Sequence, residues 1–186
     1  MAKQSQSQDI NIVEGGDLLD ILIRGGIVVD GSGARAYDAD VAINKGRIEM
    51  VGFLEEAQAT RVIDAKGLVV TPGFIDTHFH SDVMLLHDPQ HEAGLCQGVP
   101  TEIMGQDGVS YAPLSPLNLQ LYRRYLAGFN GNPPIQWDCS TVAEFRAKFN
   151  NTVSVNTAYL IPHGAVRLEA VGWGDVPLRG SDLKKA

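Results

Sequence analysis

Pro72-Gly73-Phe74-Ile75-Asp76-Thr77-His78-Phe79-His80 is the stretch whose reading decides the fold. The residues from Val69 to Thr77 read as a short buried strand that runs through Pro72-Gly73 and ends in two histidines spaced i, i+2. Successive strand side chains point to opposite faces, so His78 and His80 are expected to point the same way. Two imidazoles converging from one strand end can hold a metal ion, and neutral imidazole is a common zinc ligand. A His-x-His pair alone carries little weight; a pair that closes an apolar run points to chemistry. Asp76 shares their face, either as a partner behind the ligands or as a member of a buried pair lower down.

Downstream, Ser81 to Gln97 reads as helical with a break at Pro89. A second strand, Thr101 to Gln106, leads into Gly105-Gln106-Asp107-Gly108. A proline-rich loop, Pro113 to Pro116, precedes a helix near Leu119 to Phe129, and Gly131-Asn132-Pro133-Pro134 forms a further loop. Thr141 suits the N-cap of a helix from Val142 to Phe149, with Glu144 in its first turn. A third strand, Val155 to Ile161, ends at Pro162-His163-Gly164. Apolar strands alternating with helices predict an α/β fold with a parallel sheet covered on both faces. Sites in such sheets lie at the C-terminal strand ends, where His78, His80, Asp107 and His163 all fall.

Upstream, residues 17–71 read as short strands joined by turns: Leu22 to Arg24 and Ile27 to Val29 around Gly25-Gly26, then Asp40 to Ile43 and Arg47 to Val51 around a three-residue Asn44-Lys45-Gly46 loop. Arg61 to Ile63 and Leu68 to Val70 repeat the pattern. Such a meander is too thin to close its own core. Residues 1–16 are rich in Gln, Ser, Asp and Gly; they fit neither a secretory signal nor a transit peptide, and a solvated tail is expected.

The 186 residues are 44% apolar and 20% charged, ordinary for a globular chain. A net charge of −7 excludes nucleic acid or an anionic membrane as the main partner. No stretch approaches the ~20 apolar residues needed to span a bilayer. Cys96 and Cys139 make no disulfide framework, so a reducing, cytoplasmic setting is expected.

With these residues in view, the sequence resembles the amidohydrolase superfamily, specifically its N-acyl-D-amino-acid deacylase (D-aminoacylase) branch. The resemblance runs from about Leu18 to Arg167. It rests on Asp20-Ile21-Leu22-Ile23-Arg24-Gly25-Gly26-Ile27-Val28-Val29-Asp30-Gly31, on Pro72 to His80 with Ser81-Asp82, and most specifically on Gly105-Gln106-Asp107-Gly108-Val109-Ser110-Tyr111-Ala112-Pro113. It implies the N-terminal part of a metal-dependent hydrolase (β/α)8 barrel (residues 72–186), preceded by part of a small β-sandwich domain (residues 17–71). It implies one or two zinc ions, held by His78, His80 and Asp107, that activate water for attack on the amide of a small N-acyl amino acid. His163 and Arg167, in a His-Gly-x-x-Arg block, are the substrate-side candidates, with a structural role as the alternative for His163. At Asp107 the family usually carries cysteine; a carboxylate is a harder ligand but also binds zinc, the alternative being a plain turn aspartate, since Asp-Gly is a common turn pair.

A full barrel takes ~250 residues, and only three of its strands can be traced. The remaining ligands and the general base are expected beyond Ala186, with no catalytic residue in this chain itself. Ser181-Asp182-Leu183-Lys184-Lys185 reads as an opening helical turn, so the chain is expected to be the N-terminal portion of a longer enzyme, inactive alone. The alternatives are a non-catalytic remnant of the same ancestry and an amidohydrolase acting on cyclic amides.

Other residues read more plainly. His87 and His91 are expected in solvent, and Cys96 as a small buried side chain. Ser110 lacks the Gly-x-Ser-x-Gly of a nucleophile elbow. Gly31-Ser32-Gly33-Ala34-Arg35-Ala36 matches a dinucleotide-binding turn, but strand character resumes at Asp40 and leaves no room for the helix that motif must open.

Overall fold

A computed structural model describes residues 18–185. The expected tail at residues 1–16 lies outside them. The chain divides into two compact units, Met1–Pro72 and Gly73–Ala186.

In the first unit, β1 (Leu19–Val28), β2 (Tyr37–Asn44), β3 (Arg47–Gly52) and β4 (Ala59–Asp64) form a sheet in the order β3-β2-β1-β4, and β5 (Val69–Val70) also pairs with β1. The two segments read around Gly25-Gly26 are one strand with a bulge. Its register against β2 shifts between Ile23 and Gly26, and Gly25 takes φ +71°. Asp40, buried on β2, stabilises this kink by accepting hydrogen bonds from Gly25 N (2.7 Å) and Leu54 N (3.0 Å). Gly26 is required by close packing, because a Cβ there would lie 2.4 Å from Val70 Cγ2. The β2–β3 turn is a two-residue loop rather than three. Lys45 and Gly46 both have positive φ, the primed geometry that matches strand twist. Val28, Ala39 and Val41 form the small core, while Val62 and Ile63 stay exposed. Residues 31–36 form no helix before β2, which removes the dinucleotide reading.

The second unit holds three parallel strands, β6 (Ile75–Asp76), β7 (Thr101–Met104) and β8 (Asn156–Tyr159), in the order β6-β7-β8. The single strand expected from Val69 to Thr77 is therefore two short strands in different sheets. Proline offers no N–H to a ladder, and at Gly73 a Cβ would sit 2.2 Å from Pro100 Cγ. The backbone must pass Pro100 here, and only glycine lets it.

Between β6 and β7 lie two single turns, α1 (Met84–His87) and α2 (Glu92–Leu95), in place of the longer helical stretch expected. Between β7 and β8 run α3 (Pro116–Asn130), with proline in its first turn, and α4 (Val142–Ala147). Thr141 caps α4 as expected, in a full capping box with Glu144. After β8 come α5 (His163–Val171), not foreseen in the sequence, and α6 (Ser181–Lys185). Tyr111, Phe145, Leu85, Met104 and Leu114 lead the core that these helices close with the sheet. Coverage is incomplete: Ile75 on β6 is exposed, and β8 alternates exposed and half-buried residues.

Candidate metal centre

Because β6, β7 and β8 run parallel, the segments leaving their C-terminal ends emerge on one side. His78 and His80 follow β6 by two and four residues, so they sit in the connection beyond the strand rather than on it. Asp76, the last residue of β6, accepts a hydrogen bond from His78 N (3.0 Å) and fixes how this connection leaves the sheet. Asp107 follows β7 in a single 3-10 turn, Gln106–Gly108.

These three side chains meet. His78 Nε2 and His80 Nε2 are 3.2 Å apart, and each lies 3.2 Å from Asp107 Oδ2. Their potential ligand atoms all lie within 4.8 Å of one another. Two neutral imidazoles can share at most one proton between facing nitrogens, and the Asp107 carboxylate adds a third donor atom of the kind that binds metal ions. Atoms bound at ~2.0–2.2 Å to one tetrahedral ion stand about 3.3–3.6 Å apart, close to the spacing seen. Donor chemistry and spacing both fit a divalent cation. His80 is mostly covered, with Phe129 against its ring at 4.3 Å between centroids, while His78 and Asp107 face outward.

The profile of the amidohydrolase family matches residues 61–172, more than half of the chain and including all three side chains. The chain belongs to the amidohydrolase family. Its sequence is 38% identical over 154 residues to an N-acyl-D-glutamate deacylase of Alcaligenes xylosoxydans xylosoxydans, a match covering 82% of this chain and 30% of that one. An N-acyl-D-aspartate deacylase of the same organism is 35% identical over 168 residues, covering 90% and 32%. A crystal structure of N-acyl-D-glutamate deacylase from Bordetella bronchiseptica, complexed with zinc and a phosphonate mimic of the tetrahedral intermediate, superposes with TM-score 0.77 at 30% identity, covering 91% of this chain and 35% of that one. This amidohydrolase chain therefore spans about a third of the length of the relatives it matches. It is mixed α/β and shares their fold over that third.

Within the amidohydrolase chain, the other candidates are placed as follows. His163 opens α5 and is exposed, with its Cβ beside Gly108 and so next to the Asp107 turn. Arg167, one turn on, donates to the carbonyls of Gly174 (2.9 Å) and Val176 (2.5 Å). Ser110 is fully buried and donates to Asp82, which suits no nucleophile. Cys96 is exposed, contrary to expectation, because α2 is a single turn with no buried residue; Cys139 is the buried cysteine.

His91 also corrects the reading from sequence. It is mostly buried, with Nε2 2.6 Å from Oε1 of Glu102, itself wholly buried on β7. Burial, with Asp76 and Asp82 nearby, pushes the Glu102 carboxyl up to about 7. Burial likewise pushes Asp82 up to about 6, against the lowering effect of the Ser110 hydroxyl. Glu102 had one sequence signal, a lone acid between Thr101 and Ile103 in an apolar run; His91 had none. Among the described residues no helix is long and apolar enough to cross a membrane.

Proposed function

We propose that this chain is the metal-binding N-terminal portion of a zinc-dependent deacylase of N-acyl-D-amino acids, with His78, His80 and Asp107 as ligands. The observation that carries the reading is the 3.2 Å triangle of two Nε2 atoms and one Oδ2. Its substrate class is supported by relatives that deacylate N-acyl-D-glutamate and N-acyl-D-aspartate. One or two zinc ions would be held here, in a cytoplasmic enzyme acting on small molecules.

A zinc ion in such a site supplies Lewis acidity, bringing the pKa of a water from 15.7 to ~7 and polarising the amide carbonyl. The chain's own residues hold the ligand geometry. Asp76 orders the backbone at His78, Phe129 shields one face of His80, and Asp107 brings negative charge that favours a cation over a shared proton. In this reading His163, beside the Asp107 turn, is the substrate-side candidate, while Arg167 orders the loop at 174–176 through its bonds to the carbonyls of Gly174 and Val176. The general base is assigned to sequence outside this chain, within a (β/α)8 barrel of which residues 72–186 form the first units.

The test uses the purified chain supplied with zinc. It is expected to retain zinc through gel filtration, to lose it with His78→Ala, and to release no amino acid from N-acyl-D-glutamate. Zinc-dependent hydrolysis by the chain would instead put a base within these residues. Failure to retain zinc favours the non-catalytic remnant.

A further inference from the structure

The ligand residues lie on two separate connections, and something must hold these in register. His78 and His80 are flanked by Thr77 and Asp82; Asp107 is flanked by Gln106 and Ser110. The flanking residues pair across the gap. Gln106 Nε2 donates to Thr77 O (2.5 Å) and to Ile103 O (3.1 Å), tying the turn both to the first connection and to its own strand. Ser110 Oγ donates to Asp82 Oδ2, and both of these residues are wholly buried. The triangle of ligand atoms is thus bracketed in sequence, on both chains of residues, by two cross-ties.

We propose that Asp82, Ser110 and Gln106 are positioning residues that preset the spacing of His78, His80 and Asp107 before any ion arrives. This rests on the metal-centre reading above and extends it to residues that touch no ligand atom in the structure. Three features support it. Asp107 has φ +54° and ψ 17° between Gly105 and Gly108, both also left-handed. A backbone of that kind persists only where its surroundings hold it. Asp82 is a buried carboxylate whose Oδ1 makes no hydrogen bond among the described residues, so the Ser110 hydroxyl is its principal partner. The cost of burying such a group is substantial, and a purely structural site could be filled by an apolar side chain. Ser110 also gains a role: in the Gly-x-x-Gly-x-Ser block its hydroxyl is directed at the segment that carries the histidines.

The experiment measures zinc affinity by competition with a chromogenic chelator, and the visible spectrum of the Co2+-substituted chain, which reports ligand geometry. The variants are Ser110→Ala, Asp82→Ala, the double variant, Asp82→Asn and Gln106→Glu, with circular dichroism and melting curves as the check on folding. Removing partners behind metal ligands typically weakens binding about 10–100-fold. Ser110→Ala, which deletes one oxygen and leaves the buried Asp82 carboxyl without its partner, is expected to weaken zinc binding about 10-fold and to alter the Co2+ spectrum, with a lowered melting temperature but an unchanged circular dichroism spectrum. The double variant is expected to bind no worse than Asp82→Ala, because the two residues act through one bond. Asp82→Asn keeps an acceptor for Ser110 and is expected to recover part of the loss. Gln106→Glu sets a carboxylate against two carbonyl oxygens and is expected to weaken binding.

Unchanged affinity and an unchanged Co2+ spectrum in Ser110→Ala and Gln106→Glu overturn the positioning role and leave the metal centre standing. Absence of zinc binding by the unmodified chain overturns both.

Discussion

Asp107 has the left-handed backbone that aspartate and asparagine tolerate better than most side chains. Cysteine, usual at this place in the family the sequence resembles, adopts it less readily. Asp107→Cys is therefore expected to keep zinc binding, through a thiolate, while lowering stability by about 1 kcal/mol. Asp107→Asn keeps the backbone preference but removes the charge, and is expected to weaken zinc binding about 10-fold or more. Chelator competition and thermal melting on both variants separate the two effects. Equal binding by Asp107→Asn would remove Asp107 from the ligand set. The sequence pointed to His78 and His80 as a pair by their i, i+2 spacing; they converge although both lie beyond β6, in the connection where Asp76 holds the His78 N–H, and not by alternation along a strand. The burial of His91 against Glu102 was not legible: that pair depends on how α2 folds back over β7, with Gly94 leaving space, since a Cβ there would lie 2.3 Å from His91 Nε2.

At the scale of elements, local chemistry was readable where it acts within a few residues. Thr141 caps α4 by accepting from Glu144 N, and the Glu144 carboxylate accepts a hydrogen bond from Thr141 N (3.0 Å), as the Thr-x-x-Glu spacing foretells. Thr141→Ala is expected to cost about 1 kcal/mol, read from denaturant midpoints; no loss would mean that tertiary packing alone sets the start of α4. Boundaries set by distant neighbours were not readable. The run from Val69 to Thr77 divides between two sheets because β5 pairs with β1 while β6 pairs with β7. Helix α5 is not legible in the sequence because its start at His163 has no Ser, Thr, Asp or Asn cap. Gly105 marks the end of β7 for a steric reason: at φ +81° its Cβ would sit 2.1 Å from Leu160 O, in the connection that follows β8. Gly105→Ala is expected to destabilise the second unit by more than about 2 kcal/mol. A variant with an unchanged melting temperature would show that the β7 and β8 connections separate freely.

For the whole molecule, the buried acid on β7 makes stability depend on pH. The Glu102 carboxyl is raised in the folded state, from 4.5 to about 7, chiefly by burial. The folded chain then holds a proton that the unfolded chain releases above about pH 4.5, so stability falls as pH rises between these values. The slope from this group is at most about 1.4 kcal/mol per pH unit. Glu102→Gln is expected to flatten the decline in melting temperature between pH 5 and 7, and an unaltered slope would assign it to other groups.

The same architecture explains what the sequence conveyed about the site. Parallel strands in register put the ends of β6 and β7 side by side, so residues 27 to 29 positions apart meet. The motif could name the candidate ligands, but only the strand pairing brings Asp107 to the histidines. Equilibrium dialysis of the chain against zinc tests this most directly, beside His80→Ala and Asp107→Ala. The account predicts saturable binding of at least one zinc ion per chain, weakened about 10-fold or more in each variant. Binding that is absent from the unmodified chain, or equal in all three proteins, would contradict it.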